Sequence, residues 1–181
     1  MRFLFLSLLL TQILACSHLS PQTNHPQTRW ELSGKIGITT PKESLAGFIR
    51  WQQNQDNFNI YVSGPLGLGN MHIQGNQQYA TLTQGGKILS GVPSALFYEQ
   101  LGWQFPIKNL PYWLQGKPAP FTQANSKLND DGKLALLKQD NWTIEYLRYH
   151  PYYKLPSRIK IKQGKWKFLL VIKHWNIWNT P

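Results

Sequence analysis

The sequence is poor in cysteine, in acidic residues and in long apolar runs. One cysteine among 181 residues excludes an intramolecular disulfide, so the fold must rest on burial of a core. The sequence has only 8 aspartates and glutamates but 19 lysines and arginines. This surplus of positive charge indicates an anionic partner, which is a membrane surface, an acidic protein or a nucleic acid. The N-terminal apolar run, Phe3 to Leu10, is too short to span a bilayer, which needs about 20 residues.

Motifs of catalysis are also missing. The sequence contains no H-E-x-x-H, no G-x-S-x-G and no phosphate-binding glycine loop. Gly64 to Gly69 superficially resembles such a loop, but Pro65 interrupts it and no helix is expected to follow. The carboxylates form no recognisable acid–base pair, and the histidines are scattered. We therefore expect no enzymatic activity, no cofactor and no metal.

The N-terminus has the organisation of a bacterial lipoprotein leader. Met1-Arg2 is a short positive region, the apolar run follows it, and Ile13-Leu14-Ala15-Cys16 resembles a lipobox. We expect residues 1–15 to be a signal peptide and Cys16 to be the site of lipid attachment. The alternative is a plain signal peptide with an incidental cysteine. Export argues against a nucleic-acid partner.

The residues after Cys16 predict where the protein is held. Ser17 stands where an aspartate would resemble an inner-membrane retention signal, which favours the outer membrane, facing the periplasm. Residues 16–29 are polar and contain two prolines, so they are expected to be a flexible tether. Residues 30–181 are expected to form the single folded domain.

In that domain the apolar residues repeat with a period of two, and turn signals separate the runs. About ten short strands are predicted, in an antiparallel, meandering sheet that is strongly twisted. Two segments depart from this pattern. Pro93–Leu101 is predicted to be a helix that stops at Gly102, and Pro106–Gln115 a second one, broken by Pro111 and ended by Gly116.

Several segments together resemble the LolB family of outer-membrane lipoprotein receptors, and they span nearly the whole chain after the tether. They are Trp30-Glu31-Leu32-Ser33-Gly34-Lys35-Ile36, Phe48-Ile49-Arg50-Trp51-Gln52, Gly64-Pro65-Leu66-Gly67, Leu101-Gly102-Trp103 with Pro106-Ile107, Leu110-Pro111-Tyr112-Trp113-Leu114-Gln115-Gly116, Trp142-Thr143-Ile144-Glu145-Tyr146 and Leu155-Pro156. One departure is Asn141, where the resemblance leads us to expect a glycine before the tryptophan.

The resemblance implies a mainly β fold, an incomplete antiparallel β-barrel of about 11 strands with a few covering helices around an apolar cavity. It also implies a function. A monomeric receptor would accept acylated lipoproteins from the periplasmic carrier LolA and place them in the inner leaflet of the outer membrane. The alternative is a structural or assembly lipoprotein that uses a β-rich module to bind a protein partner.

Three groups of residues are expected to serve that function. The first is the turn of Pro65, Leu66, Gly67 and Leu68, which places Leu66 at a hairpin tip in water; the resemblance implies that it protrudes to insert lipid, and the alternative is a tip folded back onto its strands. The second is an acyl-chain cavity lined by Ile36, Phe48, Trp51, Ile60, Leu96, Trp103, Trp113, Trp142 and Tyr146. The third is Arg158, Lys160 and Lys162, on one face of a strand, as a dock for the carrier or for anionic headgroups; the alternative is a solvated outer face.

Overall fold

The computed structural model describes residues 29–64, 69–102 and 105–178, and within them it has eleven strands and two helices. In chain order these are β1 (Arg29–Thr39), β2 (Ser44–Asn54), β3 (Asn57–Ser63), β4 (Met71–Gly75), β5 (Ala80–Gln84), β6 (Lys87–Gly91), α1 (Pro93–Leu101), α2 (Leu110–Leu114), β7 (Ala124–Leu128), β8 (Leu134–Gln139), β9 (Trp142–Tyr149), β10 (Pro156–Gln163) and β11 (Trp166–Trp178).

All eleven strands belong to one antiparallel sheet, in the order β6-β5-β4-β3-β2-β1-β11-β10-β9-β8-β7. The first and last strands of the chain meet in its middle, where Arg29 lies opposite Trp178 and Thr39 opposite Lys167. Strands β6 and β7 are the two edges and do not pair with each other in the part of the chain that the structure describes. The expected mainly β fold with an open antiparallel sheet is therefore confirmed.

Alternation along each strand separates a buried inner face from an exposed outer face. On β2, Ile49 and Trp51 are buried, whereas Phe48 and Arg50 are exposed. Buried residues of both halves of the sheet belong to one core cluster, so the sheet curls around its inner face. Trp142 of β9 illustrates this curl, because its ring lies 6.2 Å from that of Phe168 on β11, although β10 separates the two strands.

A β-bulge sharpens the curl where the two chain ends pair. The register of β1 against β11 shifts between Ser33 and Gly34, which leaves Lys173 without a Cα partner on β1. At Gly34 the backbone of β11 approaches so closely that a Cβ would collide with the carbonyl oxygen of Val171. Only glycine, which has no Cβ, fits at position 34.

The helices cover the inner face near the open side of the sheet. Helix α1 has the predicted bounds, buries Leu96 and Phe97, and packs against β5 and β6. Helix α2 is shorter than predicted, and Pro111 does not break it. The proline lies in the first turn, where the missing N–H has no helical partner to lose. All five residues of α2 are buried.

The turn between β8 and β9 explains the departure at Asn141. Asp140 and Asn141 have φ values of 50° and 64°, and Gln139 lies opposite Trp142, so two residues close the hairpin with left-handed backbone. Asparagine tolerates this conformation better than other residues with a Cβ and can replace the expected glycine.

No helix within the described ranges is long and apolar enough to cross a membrane.

Substitution at the bulge tests this account of the curl. We expect Gly34→Ala to lower the free energy of unfolding by about 1–3 kcal/mol, because the new methyl group forces the backbones of β1 and β11 apart. Gly37→Ala on the same strand is the matched control. Its methyl group would meet Leu169 at 3.9 Å, an ordinary contact, so the change should stay within about 0.5 kcal/mol. Urea denaturation measures both, and equal effects would contradict the account.

Candidate functional site

The main feature of the inner face is an apolar cavity of about 330 Å³ between the curled sheet and the helices. Strands from both halves of the sheet form its wall, and Leu110 and Leu114 of α2 contribute to its cover. The apolar residues of its wall are Ile36, Ile38, Leu45, Ile49, Trp51, Ile60, Val62, Met71, Ile73, Phe105, Pro106, Leu110, Leu114, Trp142, Ile161, Trp166, Phe168 and Leu170. Such a wall suits hydrocarbon and offers little to a polar ligand.

Among the described residues, four polar side chains line the cavity, and three of them lie at one end of the sheet. Thr40 and Glu43 follow the end of β1, Gln84 ends β5, and Gln100 lies near the end of α1. The connections β1–β2, β3–β4, β5–β6 and β10–β11 all lie at this end, because neighbouring strands run antiparallel. We call it the mouth end, and we call the end where β1 begins at Arg29 the far end.

The β1–β2 connection at the mouth end is held by its own hydrogen bonds. The Thr40 hydroxyl oxygen accepts from the backbone N–H groups of Lys42 at 3.1 Å and Glu43 at 3.0 Å. The Thr40 N–H donates to the Glu43 carbonyl at 2.8 Å. This part of the rim is therefore a defined turn.

Helix α2 is fixed over the cavity by a buried glutamine. The Gln139 amide oxygen accepts from the Trp113 indole N–H at 2.8 Å and from the Ala119 N–H at 2.9 Å. Its amide nitrogen donates to the Ala119 carbonyl at 2.6 Å and the Thr122 carbonyl at 2.9 Å. The polar groups of this segment thus bond to one another, and the cavity wall stays apolar.

One tyrosine of β9 completes the attachment of α2, and a second joins β9 to β8. The Tyr146 hydroxyl donates to the Trp113 carbonyl at 2.9 Å, and the Tyr149 hydroxyl donates to the Leu134 carbonyl at 2.7 Å. Burial raises the pKa of Tyr146 well above its usual value and the pKa of Tyr149 to about 12. Both hydroxyls therefore remain protonated donors at neutral pH.

The residues predicted for the cavity fall into four kinds of position. Ile36, Trp51, Ile60 and Trp142 lie in its wall. Leu96, Trp113 and Tyr146 are buried without lining it, and Phe48 lies on the outer face. Trp103 lies outside the described residues.

The prediction for Phe48 is wrong. Its side chain is 55% exposed on the outer face of β2, because it alternates with the buried Ile49. The wall residues of β11, Phe168 and Leu170, were missed. In the sequence the apolar run of 168–172 hides which face points inward, and the pairing with β1 alone resolves it.

The three predicted docking residues lie on the outer face of β10. Lys160 Nζ lies 3.5 Å from Glu145 Oε2, and Lys162 Nζ contacts Glu145 Oε1. The hydrogen bond from Lys162 is the main cause that lowers the pKa of Glu145, and the charges of both lysines add to it. One carboxylate thus offsets part of the charge of the two lysines, and Arg158 is exposed beside them.

The remaining predicted residues lie outside the described ranges. They are Cys16 and the four residues Pro65, Leu66, Gly67 and Leu68. Strand β3 ends and β4 begins at the mouth end, so the β3–β4 connection starts and finishes beside the opening of the cavity.

Comparison with known proteins decides the family. The family model described as outer membrane lipoprotein LolB matches residues 28–175. The chain belongs to the LolB family. It is 41% identical over 150 residues to the outer-membrane lipoprotein LolB of Stutzerimonas stutzeri, across 81% of this chain and 73% of that protein. The LolB of Pseudomonas aeruginosa is 39% identical with the same coverage.

A solved structure shows the same fold at greater distance. A LolA superfamily protein from Nitrosomonas europaea matches with a TM-score of 0.52 and 12% identity, over 87% of this chain and 89% of that one. This likeness concerns the fold alone. The LolB family comprises outer-membrane lipoproteins and is not an enzyme family, so the resemblance seen in the sequence and the outer-membrane localisation are confirmed.

Proposed function

We propose that this LolB-family protein acts as a monomer that accepts acylated lipoproteins from the periplasmic carrier LolA and inserts them into the inner leaflet of the outer membrane. The observation that carries the proposal is the apolar cavity, in which three of the four polar lining residues among the described residues lie at the mouth end. An acylated protein cannot cross water unless its chains stay covered. Each buried methylene contributes about 0.8 kcal/mol, so one long acyl chain amounts to on the order of 10 kcal/mol.

Transfer between two apolar enclosures needs no nucleotide. If the chain passes directly from the carrier's cavity into this one, the apolar surface exposed at any moment stays small, and the difference in affinity sets the direction. The open side of the sheet supports this route. Strands β6 and β7 are not hydrogen-bonded to each other, so helices and not a strand ladder cover that side.

The anchor fits the same account if Cys16 carries lipid. The domain begins at the far end, at Arg29, whereas the cavity opens at the mouth end. Residues 16–29 span at most about 45 Å when extended, and an eleven-residue strand such as β1 is about 35 Å long. The anchor and the mouth can therefore reach one membrane surface.

Leu66 is the residue we assign to the delivery step, because it belongs to the β3–β4 connection at the mouth end. We expect Leu66→Glu to leave transfer from the carrier intact and to lower delivery into vesicles by roughly tenfold, because a carboxylate resists entry into hydrocarbon. Transfer in solution and delivery to vesicles are measured separately with one acylated cargo. Leu66→Met, which stays apolar, should behave as the native chain. Normal delivery by Leu66→Glu would refute this role.

The basic face of β10 is the surface we assign to carrier docking. If opposite charges steer the encounter, the association rate should fall about tenfold as salt rises from about 50 to about 500 mM. Replacing Arg158, Lys160 and Lys162 together by glutamine should lower the rate at low salt and remove most of that dependence.

The matched control replaces three exposed lysines that lie on neither β10 nor its neighbours β9 and β11, namely Lys42, Lys87 and Lys127, and should keep the salt dependence. Stopped-flow fluorescence measures the rates. If the association rate of the native chain does not change with salt concentration, this surface does not take part in docking.

A further inference from the structure

Two further depressions lie next to the cavity. A side cleft of about 590 Å³ at the ends of β3, β4 and β5 shares Val62, Met71 and Gln84 with the cavity wall. The side cleft therefore adjoins the cavity wall at the mouth end of the sheet.

A second depression, which we call the outer groove, adjoins the side cleft. Its volume is about 360 Å³, and it shares Tyr61 and Ser63 with the side cleft. It crosses the outer faces of β11, β1, β2 and β3, and Lys35, Phe48, Arg50 and Lys173 also line it. Three strand spacings of about 4.8 Å make a track of roughly 14 Å, enough for about four residues of extended polypeptide.

Two aromatic side chains stand in water along this groove. Phe48 is 55% exposed and Tyr61 is 44% exposed. The Tyr61 ring stacks on His72 with centroids 4.0 Å apart and an angle of 7°. The His72 ring nitrogen Nε2 lies 2.6 Å from the Asn59 side-chain oxygen. Tyr61 is thus held in place before any ligand arrives, which lowers the entropic cost of binding.

The charge of the groove is mainly positive. Glu31 pairs with Arg50 at 3.2 Å, but no carboxylate among the described residues lies within ion-pair distance of Lys35 or Lys173. Lys173 is the residue left unmatched at the β-bulge, so the distortion that curls the sheet also places this cation at the groove. Exposed aromatic rings beside unpaired cations suit a polypeptide with acidic residues.

We propose that the outer groove binds the polypeptide segment that follows the acylated cysteine of a cargo lipoprotein, and that it favours acidic segments. This rests on the proposed function. Acyl chains in the cavity leave their polypeptide at the mouth, because its backbone groups cannot be buried unpaired in an apolar wall. The outer groove, which adjoins the uncharged side cleft, then offers this segment complementary charge.

Synthetic tripalmitoylated cysteine peptides test the proposal. Three peptides have the same eight-residue linker with three Glu, three Gln or three Lys at matched positions, and they are titrated against the chain carrying Cys16→Ser. We expect the Glu peptide to bind about fivefold more tightly than the Gln peptide, and the Lys peptide more weakly than both. Equal affinities for the Glu and Gln peptides would overturn the proposal.

Variants of the protein test whether the outer groove causes the preference for the Glu peptide. Lys35→Gln with Lys173→Gln should abolish the preference for the Glu peptide. Lys127→Gln with Lys138→Gln, which makes the same change of charge on strands outside the groove, should keep it. Phe48→Ser should weaken all three peptides without changing the affinity for free palmitate. A preference that survives the first double variant would contradict the assignment.

Two further measurements separate this proposal from its alternatives. If the first double variant loses binding to phosphatidylglycerol vesicles while the Glu and Gln peptides bind equally, the groove is a headgroup site and the proposal is wrong. Free palmitate reports on the cavity alone. Its failure to bind would count against the proposed function, whereas a preference for acidic linkers tests the groove.

Discussion

The pairing of β1 with β11 joins the two ends of the chain in the middle of the sheet, and the other features depend on it. It brings the strands that follow β1 and those that precede β11 into one continuous ladder. The bulge at Gly34 allows this ladder to bend, because the backbone of β11 comes too close there for any side chain. Without that bend the apolar faces of the two halves would not share one interior.

In the curled sheet, side chains alternate along each strand between an inner and an outer face, and the two faces carry different kinds of residue. The inner face supplies hydrocarbon-like wall to the cavity, and Gln139 keeps the polar groups of the covering segment bonded to one another. The outer face carries the basic residues of β10 and of the outer groove. A small domain thus combines an apolar interior with a cationic exterior.

The sequence was most informative where the signal is local. The period of two predicted the strands, and Pro93 and Gly102 bounded the first helix, because turn and cap residues act on their immediate neighbours. The shorter second helix was harder to predict, since burial of all five of its residues decides its extent. The fold class followed from the strand pattern and the family resemblance.

The site was predicted less well, because the strands with which a strand pairs decide which of its faces points into the cavity, and these strands can be distant in the sequence. Phe48 and Trp51 lie on opposite faces of β2, so the alternation of the strand already excludes that both line one cavity. Because Trp51 is buried, it is the residue of the two that faces inward. The run from Phe168 to Ile172 has no readable alternation in the sequence. Its inward residues follow only from the pairing with β1, which joins segments more than a hundred residues apart.

The central claim is that the inner face of the curled sheet encloses the acyl chains of the cargo. The most direct measurement uses a cargo whose acyl chain carries a photoreactive diazirine near its end, transferred from LolA to the full protein and then irradiated. We expect mass spectrometry to find adducts on cavity-wall residues such as Trp142, Ile161 and Phe168. Transfer that proceeds with adducts only on outer-face residues would contradict the account.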